Sequence, residues 1–110
     1  MKVFSITDLK AFGYEQRSMN VIHEEPEFKL RVIELAPGGS IPLCVMASHV
    51  VFVCIMGAAI ITIDGEDAVL SPGQGLVSKP ATVSMRSENG AKLMGIQIKP
   101  TVADHATSGP

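Results

Sequence analysis

The chain has 110 residues, 46% of them hydrophobic and 18% charged, which is enough apolar material for one core and makes a second domain unexpected. Its 9 basic and 11 acidic residues give a formal charge of −2 with no long run of either sign. That balance excludes the electrostatic footprint needed to hold nucleic acid phosphates or an anionic bilayer.

In chain order, residues 1–18 read as an N-terminal arm. They lack the uninterrupted apolar stretch and the small-residue cleavage site of a secretory signal, so the expected location is the cytoplasm. Within the arm, Thr7-Asp8 is expected to cap one helical turn running to Phe12, with Gly13 as its stop. Tyr14, the only tyrosine, is placed to reach a ligand if the arm folds over the domain.

From residue 19 to residue 100 the chain is a series of short β-branched runs separated by Gly, Pro, Asn and Asp, without a sustained helical period. The expected strands are Asn20–His23, Phe28–Leu35, Ile41–Met46, Val50–Met56, Ala58–Ile63, Glu66–Leu70, Gly75–Ser78, Thr82–Ser87 and Ala91–Ile98. Pro37-Gly38-Gly39 and Ser71-Pro72-Gly73 supply turn geometry, and Asp64-Gly65 suits a two-residue hairpin, so neighbouring strands are antiparallel. An all-β sandwich or barrel follows. Residues 101–110 are small, polar and aperiodic, and are expected to form a flexible tail.

The most apolar stretch, Val50 to Ile63, is too short for a membrane span, which takes roughly 18 residues, and Gly57 divides it. In Val50 to Met56 both faces are apolar: Val50, Phe52, Cys54 and Met56 on one, Val51, Val53 and Ile55 on the other. A barrel strand with two apolar faces needs a second covering surface, which predicts a homodimer. Cys44 and Cys54 are too few for a disulfide framework and are expected as thiols.

The stretch Gly38 to Gly57, G-GSIPL-C-V-M-ASH-V-VFVCIM-G, resembles the first signature of the cupin superfamily: glycine, five residues, His-x-His, three residues, Glu, six residues, glycine. Gly73 to Asn89 resembles the second signature, with Pro80 and Asn89 in place, one extra residue before Pro80, and Thr82 where glycine is usual. The resemblance implies a cupin-type double-stranded β-helix, an antiparallel jelly-roll barrel, over roughly residues 28 to 98. It also implies where metal ligands would stand. Those positions hold Cys44, Met46, Val50 and Met85, so no imidazole or carboxylate remains for the usual cupin metal, and no cofactor is expected.

The function these residues suggest is metal-independent binding of a small organic ligand in an apolar, sulfur-lined barrel pocket formed by Cys44, Met46, Val50, Phe52, Met85 and His49. Two alternatives stand beside it. Cys44, Met46 and Met85 are sulfur donors of a kind that suits copper as Cu(I), although Met and Cys more often simply pack a core. The other is an atypical cupin isomerase or lyase working through His49, Tyr14 or the Cys44 thiol, for which no cationic neighbour of Cys44 is visible in the sequence. Arg86 and Gln97 alternate away from apolar neighbours and are expected to point outward. The cluster Glu24, Glu25 and Glu27 is expected to be a solvated loop.

Overall fold

A computed structural model describes residues 1–100; the expected tail, 101–110, lies outside the described residues. The described residues form nine strands: β1 Val21–Glu24, β2 Phe28–Leu35, β3 Ser40–Met46, β4 His49–Gly57, β5 Ala59–Ile63, β6 Glu66–Leu70, β7 Gly75–Ser78, β8 Ala81–Arg86 and β9 Ala91–Ile98. They match the expected series to within one residue at each end. One sheet has the order β1-β2-β9-β4-β7 and the other β3-β8-β5-β6, with every pairing antiparallel. This is the expected all-β, double-sheet barrel. Among the described residues no helix is long and apolar enough to cross a membrane.

The arm departs from expectation. Residues 6–8 form only a turn, closed by the Asp8 N–H on the Ser5 carbonyl at 3.1 Å, and no helix runs from Thr7 to Phe12. The Lys92 ammonium of β9 donates to the carbonyls of Thr7 and Leu9, so the groups that would have closed a helical turn are already taken. Helical geometry begins past Gly13, in a 3-10 segment Tyr14–Asn20 kinked at Gln16. Short segments of this kind suit a connector where no long apolar stripe is available to drive an α-helix.

The core lies between the sheets. Ile33 and Leu35 of β2, Val50, Phe52 and Cys54 of β4, and Leu93 of β9 pack against Ile61 of β5 and Val83 and Met85 of β8. Alternation decides this: residues of one parity in each strand share a face, and burying each Leu, Ile or Val side chain contributes about 1.5–3 kcal/mol. The opposite face of β4, Val51, Val53 and Ile55, is only half-buried.

Two turns are tightly specified. Asp64 and Gly65 have φ of 47° and 83°, and Ile63 pairs with Glu66, so a two-residue loop with both central residues left-handed joins β5 to β6. The Asp64 carboxylate also accepts from the Thr82 N–H at 2.8 Å and the Thr82 hydroxyl at 2.9 Å, which ties the loop to β8. Gly57, at φ 73°, ends β4 where a Cβ would stand 2.1 Å from the Gly90 carbonyl oxygen.

Gly57→Ala is therefore expected to destabilise the fold by about 3 kcal/mol, combining a strained φ with backbone overlap. The readout is a lowered denaturant midpoint at unchanged m-value.

A second expectation concerns pH. The Thr82 backbone N–H and then its hydroxyl hold the Asp64 carboxyl below its ordinary pKa. Its folded pKa is thus below its unfolded one, so the stabilisation is complete above an unfolded pKa of about 4 and disappears as pH falls through the folded value. In paired urea titrations, Asp64→Asn should cost stability at neutral pH, and the gap with the wild type should narrow as pH falls below the unfolded pKa of about 4; a gap that stays constant with pH would count against this.

Candidate functional site

The larger sheet builds one wall of a cavity. Arg31 of β2 pairs with Gly95 of β9, and Gly95 pairs in turn with Phe52 of β4. A Cβ at Gly95 would meet Ile33 and Phe52 side-chain atoms at 3.3 Å and the Arg31 Cγ at 3.5 Å, so these side chains share the inner face and the missing side chain leaves a notch between them. Gln97, two residues on, shares the parity of Gly95 and Leu93 and faces the same way.

The other wall comes from the smaller sheet. Cys44 and Met46 of β3 lie on one face, with the Cys44 thiol 3.9 Å from the Met46 sulfur and 3.6 Å from the Val83 carbonyl. Met85 of β8 is 4% exposed. Between the walls is a cavity of about 490 Å³, lined by Cys44, Met46, Phe52, Met85, Arg31 and Gln97 together with Ile41 and residues of the arm.

The arm completes the cavity lining. Asn20, buried at the end of the 3-10 segment, accepts from the Phe12 N–H at 2.6 Å and donates to the Phe12 carbonyl at 3.0 Å. This fixes Phe12, Tyr14 and Arg17 along the cavity rim. The Arg17 guanidinium stacks on the Tyr14 ring, 4.1 Å from its centroid, and donates to the Tyr14 carbonyl at 3.0 Å.

Of the residues proposed from sequence, Cys44, Met46, Phe52 and Met85 line the cavity. Val50 does not: it is fully buried in the core against Ser78 and Gln97 strand partners. His49 does not either; it is exposed at the start of β4, outside the cavity lining. Gln97 corrects an expectation in the other direction. Its alternation from Ile96 and Ile98 is as read, but Ile96 and Ile98 occupy the outer face, which turns Gln97 inward. Arg86 points outward as expected, and pairs with Asp67 at 3.3 Å. Glu24, Glu25 and Glu27 are exposed; Glu24 pairs with Lys99 and Lys29, and Glu25 with His23.

Arg31 is the site residue that sequence reading missed. The signal was its parity with Ile33 and Leu35, obscured because Leu30 and Val32 make the other face apolar too. Its Nε is buried and has no hydrogen-bond partner among the described residues, and the same is true of the Gln97 Oε1. Burial lowers the Arg31 pKa and Arg17 nearby lowers it further, while Glu24 and Cys44 act in the opposite sense. An arginine remains charged through such shifts. Cys44 therefore does have a cation on its cavity, brought from a strand distant in sequence.

The second thiol differs. Cys54 is fully buried, its sulfur donates to the Met56 and Gly57 carbonyls at 3.5 and 3.6 Å, and burial raises its pKa. It packs as a small apolar residue.

The metal of the usual cupin kind does not fit this barrel. Its ligand positions hold Cys44, Met46, Val50 and Met85, and Val50 offers no donor atom. Among the described residues no three His, Cys, Asp or Glu side chains come together.

No protein-family model and no curated protein matches the sequence. Solved structures do. A Thermus thermophilus protein aligns with a TM-score of 0.78 and 20% identity over 89% of this chain and 97% of that one. An RmlC-like cupin protein from Desulfovibrio desulfuricans aligns at 0.76 and 17% identity over 92% and 99%. A conserved Streptococcus pyogenes protein of unknown function aligns at 0.75 and 20% identity over 92% and 90%. Likeness at this level of identity speaks for architecture, and by architecture this chain is a small cupin-fold protein.

Proposed function

We propose that the protein binds a small organic ligand inside the barrel, without a metal of the usual cupin kind. The observation that carries this reading is the cavity of about 490 Å³, which falls within the range of small-molecule sites and combines apolar walls with a few converging polar groups. A barrel kept only as a scaffold would gain by filling such a space, because unfilled core volume costs stability.

A second reading, a soft-metal site for Cu(I), is favoured by the 3.9 Å approach of the Cys44 and Met46 sulfurs with Met85 on the same cavity. An isomerase or lyase reading retains Tyr14 and the Cys44 thiol on the cavity and loses His49.

The half-buried outer face of the larger sheet supports a homodimer as the working form. Leu30, Ile96, Val51 and Val77 form one cross-strand apolar row over four strands, and Val77 is 77% exposed. The free thiols Cys44 and Cys54 suit a reducing compartment such as the cytoplasm.

Cys44 supplies the test. Iodoacetamide applied to the native protein is expected to modify Cys44 and to spare Cys54 until unfolding. A bulkier maleimide at Cys44 then fills the cavity. In a metabolite thermal-shift screen, a ligand at about 100 times its Kd should stabilise by about 2.7 kcal/mol, several degrees of Tm, in the free protein and not in the adduct. Stabilisation that survives the adduct would place binding elsewhere; stoichiometric copper in protein purified anaerobically, lost in Cys44→Ala, would favour the metal reading.

For the assembly, light scattering after size exclusion should give twice the chain mass, and Val51→Lys should halve it. A wild-type monomer at micromolar concentration would remove the dimer.

A further inference from the structure

We propose that the ligand is a small carboxylate with an apolar body and a donor group beside the carboxylate: an aryl- or alkyl-substituted organic acid held by Arg31 and Gln97. This rests on the reading of the cavity as a binding site and specifies what it takes.

The two walls differ in chemistry. Cys44, Met46 and Met85 on one side, with Ile41 and Phe52, offer polarisable apolar surface. Arg31 and Gln97 on the other side are diagonal neighbours on the inner face, since Arg31 pairs with Gly95 and Lys29 with Gln97. Each has a buried polar atom without a partner among the described residues, a donor on Arg31 and an acceptor on Gln97. Buried polar atoms in native proteins are paired in the great majority of cases, and two orphans on one cavity wall mark where a missing partner belongs.

The charge on that wall is a single, half-buried guanidinium whose Nε is out of solvent. Arg17 is exposed at the rim, and of the acidic groups near the cavity, Glu34 pairs with Lys92 at 3.7 Å and Glu24 with Lys99 and Lys29. Arg31 is thus the cation on the sheet wall of the cavity, while Arg17 lines it from the arm. One planar fork of donors matches one carboxylate in bidentate geometry, whereas a doubly charged phosphate would call for more donors than this wall supplies. Gln97 Oε1 accepts, so the ligand presents an O–H or N–H next to its carboxylate. The notch at Gly95, between Arg31, Ile33 and Phe52, leaves room for the atom that carries it.

The experiment is calorimetric titration of the full chain with phenyllactate, phenylpropionate, the neutral amides of both, and inorganic phosphate at matched ionic strength. Phenyllactate is expected to bind at least roughly 10-fold tighter than its amide, the size expected of a charge-assisted hydrogen bond, and tighter than phenylpropionate. Arg31→Leu should erase the preference of acid over amide while leaving amide binding intact, and Gln97→Leu should erase the preference for the hydroxy acid. Retained amide binding also shows that the variants are folded.

Acid and amide binding equally well would overturn the carboxylate assignment and leave the cavity reading standing. Phosphate binding as tightly as phenyllactate would overturn it in favour of a bare anion site. No binding by any of the four organic probes, in wild type or variants, would overturn the assignment; the maleimide-blocked metabolite screen then decides separately whether the cavity binds at all.

Discussion

The larger sheet depends on β9, which lies between β2 and β4 and hydrogen-bonds to both along nearly its whole length. Its inner face sets the character of the barrel from one end to the other. Leu93 is fully buried in the core, Gly95 opens a notch, and Gln97 puts an amide on the cavity wall. The flanking strands keep step: Leu35 and Ile33 of β2 lie in the core and Arg31 on the cavity. Because strand side chains alternate with a period of two, a one-residue slip of β9 would send all three to the outer face and bring Met94 and Ile96 inward. Register in this one strand therefore sets both the stability of the core and the existence of the site.

Much of the architecture was legible because its signals are local. Asp64-Gly65 reads as a hairpin from two residues, and β2, β6, β7 and β9 begin and end where β-branched runs meet Gly, Pro or Asp. The cupin-like spacings from Gly38 to Gly57 and from Gly73 to Asn89 located Cys44 and Met46, and Met85, on the interior. What failed was anything decided by a partner far away in sequence. Gln97 was assigned to solvent because alternation alone does not say which face is inner when both are apolar, and the same ambiguity hid Arg31. The helical turn expected at Thr7 was lost to an ammonium on β9, some 85 residues later in the chain. Val50 occupies a position the signature would treat as a ligand and His49 is its neighbour, yet Val50 lies deep in the core and His49 is exposed.

The loss of conventional ligands on one wall of the barrel is accompanied by charge on the other. A cupin metal draws its donors largely from the positions now held by Cys44, Met46 and Met85, on β3 and β8, and these side chains now present a soft apolar surface. The polar atoms that remain come from β2 and β9, across the interior. The cavity is thereby amphipathic from sheet to sheet, so a molecule of the proposed kind would have a defined orientation even with few hydrogen bonds, since reversing it would place apolar groups on the Arg31 guanidinium.

The attachments of the N-terminal arm are made almost entirely to main-chain atoms. Asn20 grips the amide and carbonyl of Phe12, and Lys92 grips the carbonyls of Thr7 and Leu9. Such fastenings are blind to which side chains the arm carries, so Phe12 and Tyr14 can be exchanged without unfastening it. Those two residues stand on the rim of the cavity. The fold thus separates holding the arm from what the arm displays, and leaves descendants of this sequence a part of the cavity lining that can vary at little cost to the barrel beneath.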